Sequence, residues 1–310
     1  MSLAPSGRIG GVLSPVLTPF KPNLEPDVPR YIAHCQWLIS HGVGLAIFGT
    51  NSEAASLSVS ERLGLTDALL GAGIPAQRMM PGTGACALPD AVALTKHAVA
   101  NGAAGCLMLP PFYYKGVSDE GLFAYYAEVI ERVGDAKLKI YLYHIPAVSG
   151  VAITLNLIGM LRKRYPDTVV GVKDSSGVWD NTRAMIDQFA RDGFDVFPGS
   201  ELPLTQALAI GGVGCISATA NVNPAGIHAI YAARGTPEGT VLQAKADAVR
   251  KIFQALVMIP AMKRMAAEFS GQPDWGIVRP PLTALDGAMA QNLKTQLQAV
   301  GFAMPGFPSV

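Results

Sequence analysis

The sequence predicts a closed (β/α)8 barrel with additional helices after it. Eight short apolar runs alternate with helical stretches at a repeat of roughly 25 to 35 residues, which is typical of parallel βα units. The runs carry almost no polar residues, so both faces of each strand are expected to be covered. A doubly wound open sheet is the alternative, but no G-x-G-x-x-G follows the first strand.

The first half of the chain supplies four of these units. The first strand reads GVLSPVL and stops at a Thr-Pro turn, and the helix after it repeats its apolar residues on one face. The second helix opens on a serine followed by a glutamate, a helix-start signal. We place strands at 11–17, 44–49, 78–82 and 105–109, and helices at 29–40, 60–71, 90–100 and 119–132.

The second half supplies the other four strands. The sixth strand has three valines around a glycine, is too short for a helix and is bounded by turn residues. We place strands at 138–143, 169–173, 194–197 and 214–217, and helices at 155–165, 179–190 and 202–210. The remainder is helical with Pro and Gly breaks. We therefore divide the chain into a barrel at 1–230 and a helical extension packed on it at 231–310.

Charge and composition exclude several classes of partner. The 24 Lys and Arg residues nearly balance the 23 Asp and Glu residues, and there is no basic stripe or acidic tail. Nucleic acids and membrane surfaces are therefore not expected partners. The long uncharged run at 202–233 is interrupted by paired glycines, asparagines and a proline, so it cannot form one apolar membrane helix.

The cysteines and the first residues predict a cytoplasmic protein. Four cysteines are scattered singly, with no C-x-x-C and no Cys/His cluster, so we expect buried free thiols and neither disulfides nor zinc ligands. The first seven residues lack the charged and apolar regions of a signal peptide.

In barrels of this class the functional groups lie at the carboxyl ends of the strands. Those ends supply a single lysine, one histidine, hydroxyl groups and tyrosines, but no pair of carboxylates. A metal site needs several His, Asp or Glu ligands converging on one ion, so neither a metal nor another cofactor is expected.

The lysine is Lys173, at the end of the valine-rich sixth strand. A lysine at a strand end can simply lay its stem along apolar surface and reach water with its ammonium group. Inside a barrel, a desolvated lysine can instead lose its proton near neutral pH and attack a ketone, forming a Schiff base. A phenol and a hydroxyl nearby would then carry protons to and from the carbinolamine.

Four sequence blocks carry a resemblance. In order they are GTNSE at 49–53, YHIP at 143–146, GVKDSSG at 171–177 and ISATANV at 216–222. At this spacing over about 230 residues they are similar to the dihydrodipicolinate synthase and N-acetylneuraminate lyase superfamily, whose members are (β/α)8 barrels of the expected kind.

The resemblance implies a catalytic group of four residues. Lys173 would form the Schiff base with pyruvate or a related 2-keto acid, and Tyr143 would transfer protons at the imine. Thr50 would link Tyr143 to a second tyrosine. That tyrosine matches Tyr113, which the synthases donate across a dimer interface, so a homodimer or homotetramer is expected.

The resemblance also implies substrate-binding positions. The turn at Gly49, Thr50 and Asn51 would hold the carboxylate of the keto acid, and the Ile216 carbonyl would lie near it. Three further residues would face the variable part of the substrate, namely Ser175, Gly199 and Glu201. Glu53 is interpreted as a structural residue of the turn, and His144, where the family has asparagine, as a packing residue.

Three departures from the family pattern bear on the substrate. Val148 stands where the synthases carry an arginine for the carboxylate of the aldehyde, and a valine cannot make that contact. Leu202 stands where the sialic acid lyases carry a second acidic residue, and Asn51 replaces the second hydroxyl residue of the turn.

The mechanism is therefore better specified than the substrate. Our hypothesis is a metal-free lyase or synthase that makes or cleaves a carbon–carbon bond between pyruvate and an aldehyde through an imine on Lys173. Two alternatives stay open: an aldolase or dehydratase for a 2-keto-3-deoxy sugar acid using the same imine, and a keto-acid-binding protein without turnover.

Overall fold

A barrel of parallel strands forms the centre of the molecule. The computed structural model describes residues 3–310. Their regular strands form two parallel groups, ordered β2-β1-β7 and β3-β4-β5-β6. The strands are β1 (Gly11–Ser14), β2 (Gly44–Leu45), β3 (Cys106–Met108), β4 (Ile140–His144), β5 (Val169–Asp174), β6 (Asp195–Pro198) and β7 (Gly214–Ile216).

Two seams close these groups into one ring. At the first, the segment 79–82 bridges Leu45 on one side and Leu107 on the other. At the second, the Val213 N–H donates to the Val196 carbonyl at 3.1 Å. The predicted (β/α)8 barrel is thereby confirmed as the fold class.

The third predicted strand differs from the expectation. Residues Ala76–Arg78 form a 3-10 turn, and only isolated bridges follow it. Proline has no N–H to donate to a sheet, and Pro81 lies inside this segment. The Met80 and Gly82 N–H groups still donate to the Leu45 and Ile47 carbonyls, so the segment occupies a strand position in the ring.

Twelve α-helices in residues 3–310 surround and extend the barrel. Several begin at side-chain caps; the second, for example, begins after Ser58, whose hydroxyl and Glu61 form a reciprocal capping box. The helices are α1 (Val28–Ser40), α2 (Val59–Gly71), α3 (Leu88–Ala100), α4 (Asp119–Val133), α5 (Pro146–Ser149), α6 (Leu155–Arg164), α7 (Trp179–Phe189), α8 (Leu204–Ile210), α9 (Pro224–Ala232), α10 (Pro237–Gln254), α11 (Met258–Ser270) and α12 (Gly287–Ala299).

The C-terminal helices share a core with the beginning of the barrel. Phe253, Met262 and Trp275 belong to the same buried cluster as Leu17 and Trp37. The boundary placed at residue 230 falls inside α9, which packs against β1 and so occupies the position of the eighth barrel helix. The extension therefore braces the strands at which the chain begins.

Two further predictions concern membrane-spanning helices and the burial of the cysteines. No helix within residues 3–310 is long and apolar enough to cross a membrane. Cys35, Cys106 and Cys215 are buried free thiols, as expected, whereas Cys86 is exposed. The expectation of burial was wrong for Cys86 because it lies in the loop before α3, not on a packed face.

Candidate active site

Adjacent strands bring Lys173 and Tyr143 together. The two residues are direct partners in the parallel ladder between β4 and β5, so their side chains leave the sheet on the same face. Lys173 is only 2% exposed, and its Nζ donates to Tyr143 Oη at 3.2 Å. The same Nζ lies 4.3 Å from the centroid of the Tyr143 ring. The amine is thus held against the phenol and largely withdrawn from bulk water.

Thr50 extends this pair into a row of three polar groups. Its Oγ1 lies 3.1 Å from Tyr143 Oη, so either oxygen can donate to the other. The short 3-10 turn that carries Thr50 is closed by the Gly49 N–H, which donates to Ser52 Oγ at 3.1 Å. An amine, a phenol and an aliphatic hydroxyl in hydrogen-bond contact can pass a proton along the row.

Glu53 holds the turn that carries Thr50 in place. It adopts a left-handed conformation, with φ of 56°, which is uncommon for a residue with a side chain. Its buried carboxylate pairs with Lys263 of α11 and accepts the Arg279 N–H at 3.0 Å. These contacts give Glu53 the structural role assigned to it and tie the turn to the C-terminal extension.

The Lys173 amine lines a cavity of 540 Å³. Other predicted residues in its wall are Thr50, Asn51, Tyr143, Ser175 and Gly199. A side chain at position 199 would collide with Ser175, so glycine lets these two strand ends approach. A second cavity, of 730 Å³, shares Thr50 and Tyr143 but does not include Lys173.

The next residues on the two strands, His144 and Asp174, make a supporting pair beside the site. Asp174 accepts hydrogen bonds from the Thr182 hydroxyl at 2.5 Å and the Ser176 N–H at 2.9 Å. His144 Nδ1 accepts the Ile153 N–H at 2.9 Å, which places the ring proton on Nε2, 3.9 Å from Asp174. Burial lowers the pKa of His144, so the ring is neutral near pH 7.

Within residues 3–310 there is no group of three or more His, Cys, Asp or Glu side chains that could hold a metal ion. The cavity wall brings together an amine, a phenol and an aliphatic hydroxyl, which are groups that can take part in carbonyl chemistry.

Comparison with known proteins now decides the family. A model of the Dihydrodipicolinate synthetase family matches residues 8–300, which is almost the whole chain. The chain belongs to this family. Members of the family are class I lyases, and the enzyme class expected from the sequence is confirmed at that level.

Three relatives illustrate the match to the Dihydrodipicolinate synthetase family. An uncharacterized DapA-like lyase from Chloroflexus aurantiacus is 30% identical over 293 residues, covering 94% of this chain and 96% of its own. Dihydrodipicolinate synthase from Agrobacterium tumefaciens superposes with a TM-score of 0.86 at 29% identity, covering 94% and 99%. YagE from E. coli K12, a prophage protein whose structure was solved with pyruvate, superposes with a TM-score of 0.85 at 27% sequence identity. That match covers 95% of this chain and 99% of YagE.

Glu201 is not where the substrate-binding interpretation placed it. Its carboxylate is fully buried behind the cavity wall and accepts hydrogen bonds from the hydroxyls of Ser217 and Thr219. The Arg250 guanidinium lies 3.6 Å away. A buried carboxylate needs such partners, and here they draw Glu201 away from the cavity.

Three other predicted residues also stand outside the lysine cavity. Ile216 is buried in β7 and pairs with Leu13 of β1. The Gly49 N–H donates a hydrogen bond to Ser52. Tyr113 is 74% exposed and packs edge-to-face on Tyr114, with ring centroids 5.4 Å apart. Within one chain, then, the relay ends at Thr50.

The structure adds a cationic residue to the wall that the sequence reasoning missed. Arg250 lies on α10 and lines the cavity with Lys173. A signal was present, because Arg250 falls on the apolar stripe formed by Ala246, Val249 and Phe253. An arginine on the buried face of a helix needs a partner or a ligand.

Proposed function

We propose that this protein is a Schiff-base lyase or synthase that joins pyruvate, or a related 2-keto acid, to an aldehyde or catalyses the reverse cleavage. The observation that carries this proposal is the buried Lys173 amine, in contact with the Tyr143 phenol, at the wall of a cavity. The pyruvate complex of the family member YagE supports a keto acid as the ligand.

The reaction would begin at the unprotonated amine of Lys173. Its lone pair attacks the ketone carbon, and the carbonyl oxygen takes up a proton to give a carbinolamine. Loss of water then leaves the protonated imine. The Tyr143 phenol is within reach of the reacting nitrogen and is placed to deliver and recover these protons, with Thr50 as the next group in the row.

The imine would then act as an electron sink. Loss of a proton from the adjacent carbon gives an enamine, which adds to the aldehyde carbon and forms the new carbon–carbon bond. Addition of water to the resulting imine releases the product and the free amine. Cleavage runs through the same steps in reverse.

The turn beside Lys173 is the proposed binding site for the carboxylate of the keto acid. Thr50 and Asn51 line the cavity, and their backbone N–H groups make no hydrogen bond within residues 3–310. Backbone donors of this kind suit a carboxylate without a charge of their own. Ser175 and Gly199 would border the rest of the substrate.

A second copy of the chain is proposed to complete the relay. Tyr113 and Tyr114 form an exposed aromatic pair, and large exposed aromatics are enriched at interfaces. Tyr113 of one protomer would reach Thr50 of its partner in a homodimer, which two such dimers could double into a tetramer. We also propose a cytoplasmic location, for which the four free cysteines are suited.

One observation favours a different acceptor from that of the synthases. Val148, which replaces their arginine, is 66% exposed at the cavity and carries no charge. A 2-keto-3-deoxy sugar acid, cleaved or dehydrated through the same imine, is therefore the second candidate.

Borohydride trapping tests the proposal. The protein is incubated with pyruvate and reduced, and its peptides are analysed by mass spectrometry. We expect the pyruvate adduct on Lys173 and none in Lys173→Ala. A longer 2-keto-3-deoxy acid trapped in place of pyruvate would favour the second candidate, and an adduct without turnover of any aldehyde would indicate a binding protein. Absence of every adduct contradicts the imine.

A further inference from the structure

Arg250 brings a second cationic group to the cavity of Lys173. Its side chain is 11% exposed, and the residue lines the cavity together with Gln254 and Met258. The rest of that helix face is packed into the protein core. The side chain is therefore largely withdrawn from bulk water, and the residue forms part of the cavity wall.

One side of the guanidinium is anchored. Nη1 donates to Ser217 Oγ at 3.4 Å and lies 3.6 Å from the Glu201 carboxylate, while Nε donates to Gln254 at 3.3 Å. Glu201 is itself held by Ser217 and Thr219. The remaining nitrogen, Nη2, makes no hydrogen bond within residues 3–310.

A guanidinium group that is held on one side in this way is suited to bind an anion. Arginine presents its donors in a rigid plane that matches a carboxylate, and fixing one side in advance reduces the entropy lost on binding. Asp174, the acidic residue of the cavity wall, already accepts hydrogen bonds from Ser176 and Thr182. Nη2 therefore lacks an acidic partner from the wall itself.

Apart from Lys173 and Arg250, no cationic side chain within residues 3–310 lines this cavity, and polar wall residues such as Ser200 and Gln206 carry no charge. Ile145, Val148 and Leu202 are apolar, and at 540 Å³ the cavity has the size of a site for a ligand much larger than a three-carbon acid. The turn at Thr50 takes one carboxylate in the function proposed above. A second carboxylate has one cationic position available, at Arg250.

We propose that Arg250 binds a second carboxylate, at the end of the substrate away from the imine. The acceptor would then be an aldehyde acid, and the product or cleaved substrate a dicarboxylic 2-keto acid. This inference rests on the proposed function, because the keto group is taken to be bound at Lys173. Arg250 would replace, from a helix of the C-terminal extension, the cation that Val148 lacks.

Matched pairs of keto acids test this inference without requiring turnover. Imine formation is measured by borohydride trapping against concentration for 2-oxoglutarate and 2-oxopentanoate, 2-oxoadipate and 2-oxohexanoate, and 2-oxopimelate and 2-oxoheptanoate. In at least one pair we expect the diacid to half-saturate the protein at a concentration roughly 10- to 100-fold below that of the monoacid. Arg250→Gln should remove this preference and leave the pyruvate curve within about twofold.

Two further variants control for structure. Arg250→Gln leaves Glu201 buried without its cation, so the double variant Glu201→Gln with Arg250→Gln keeps that cluster neutral. It should also bind pyruvate and lack the preference for diacids. Arg183→Gln, which removes an exposed arginine that does not line the cavity, should keep the preference.

The outcomes separate the two proposals. Pyruvate trapped at Lys173 with no preference in any pair overturns the role of Arg250 alone, and so does a preference that survives in the double variant. No adduct with pyruvate or any longer keto acid overturns the proposed function itself.

Discussion

Two buried lysines in this protein have nearly the same environment by the simplest measures. Lys173 and Lys263 are 2% and 0% exposed, and each holds its Nζ 4.3 Å from the centroid of an aromatic ring, Tyr143 in one case and Phe20 in the other. Burial and aromatic contact therefore do not distinguish a nucleophile from a structural cation.

Their partners and the space around them distinguish the two lysines. Lys263 pairs with the Glu53 carboxylate and donates to the Ile277 carbonyl at 2.8 Å, and it lines neither of the two cavities described above. Lys173 contacts a phenol and lines a cavity. The comparison supports the proposal that Lys173 is the nucleophile, because its partner is not a carboxylate and the cavity leaves room for a ligand.

The largest expected effect is on the reaction itself. Lys173→Ala should lower turnover by about 10⁴-fold or more, because no other group can form the imine. Steady-state assays of the wild type and the variant measure this loss. Lys163→Ala, at an exposed position on α6, is the matched control and should retain full activity. Near-normal turnover in Lys173→Ala would remove the lysine from the mechanism.

Tyr143→Phe should lower kcat by roughly 10²- to 10⁴-fold while the adduct with pyruvate still forms, because the ring stays and the proton-transfer group is lost. Parallel measurement of kcat and of trapping separates these effects. Tyr165→Phe deletes a hydroxyl that bonds Glu131 at the surface and serves as the control. An unchanged kcat in Tyr143→Phe would contradict the relay.

At the other lysine the expected effect is on stability. Lys263→Met should lower the free energy of unfolding by about 3–5 kcal/mol, because Glu53 is left as a buried charge without its cation. Adding Glu53→Gln should restore most of that loss. Urea unfolding of both variants checks this, and equal losses in the single and double variants would show that the ion pair is not the cause.

The smallest effect is a dependence of stability on pH. Burial lowers the pKa of Lys263 to about 8, against the attraction of Glu53. In the unfolded chain this lysine titrates near 10.5, so between pH 8 and 10.5 the unfolded state binds more protons and stability must rise with pH. Between pH 7 and 9 the gain is about 1 kcal/mol.

This pH dependence is isolated by subtraction. The free energy of unfolding is measured from pH 7 to 9 for the wild type and for the double variant Glu53→Gln with Lys263→Met. The difference between the two should grow as the pH rises. Two parallel curves would mean that Lys263 keeps its proton throughout this range.

The sequence alone was enough to predict that Lys173, Tyr143 and Thr50 lie close together. Each of these residues follows a short apolar run, and in a parallel barrel the carboxyl ends of such runs converge. Their proximity therefore follows from topology once the strands are recognised. The same logic places Ser175 and Gly199 at the cavity.

The sequence alone did not predict the orientation of the Glu201 side chain, because that orientation depends on hydrogen-bond donors from other segments of the chain. Ser217 and Thr219 come from the next strand end, and Arg250 from a helix outside the repeat. Side chains attached to loops are oriented by such distant partners, which no local pattern specifies. The segment 79–82 likewise has the composition of a strand, but Pro81 within it has no N–H to donate.

The ties between Glu53, Lys263 and Arg279 have a consequence for the order in which the protein is made. Glu53 emerges early from the ribosome, whereas both of its cationic neighbours lie far downstream in the chain. Until α11 and the segment after it have been synthesised, the turn that carries Thr50 lacks its anchors. The proposed catalytic turn is therefore fully held only when translation is nearly complete, and we expect nascent fragments that contain every barrel strand to be inactive.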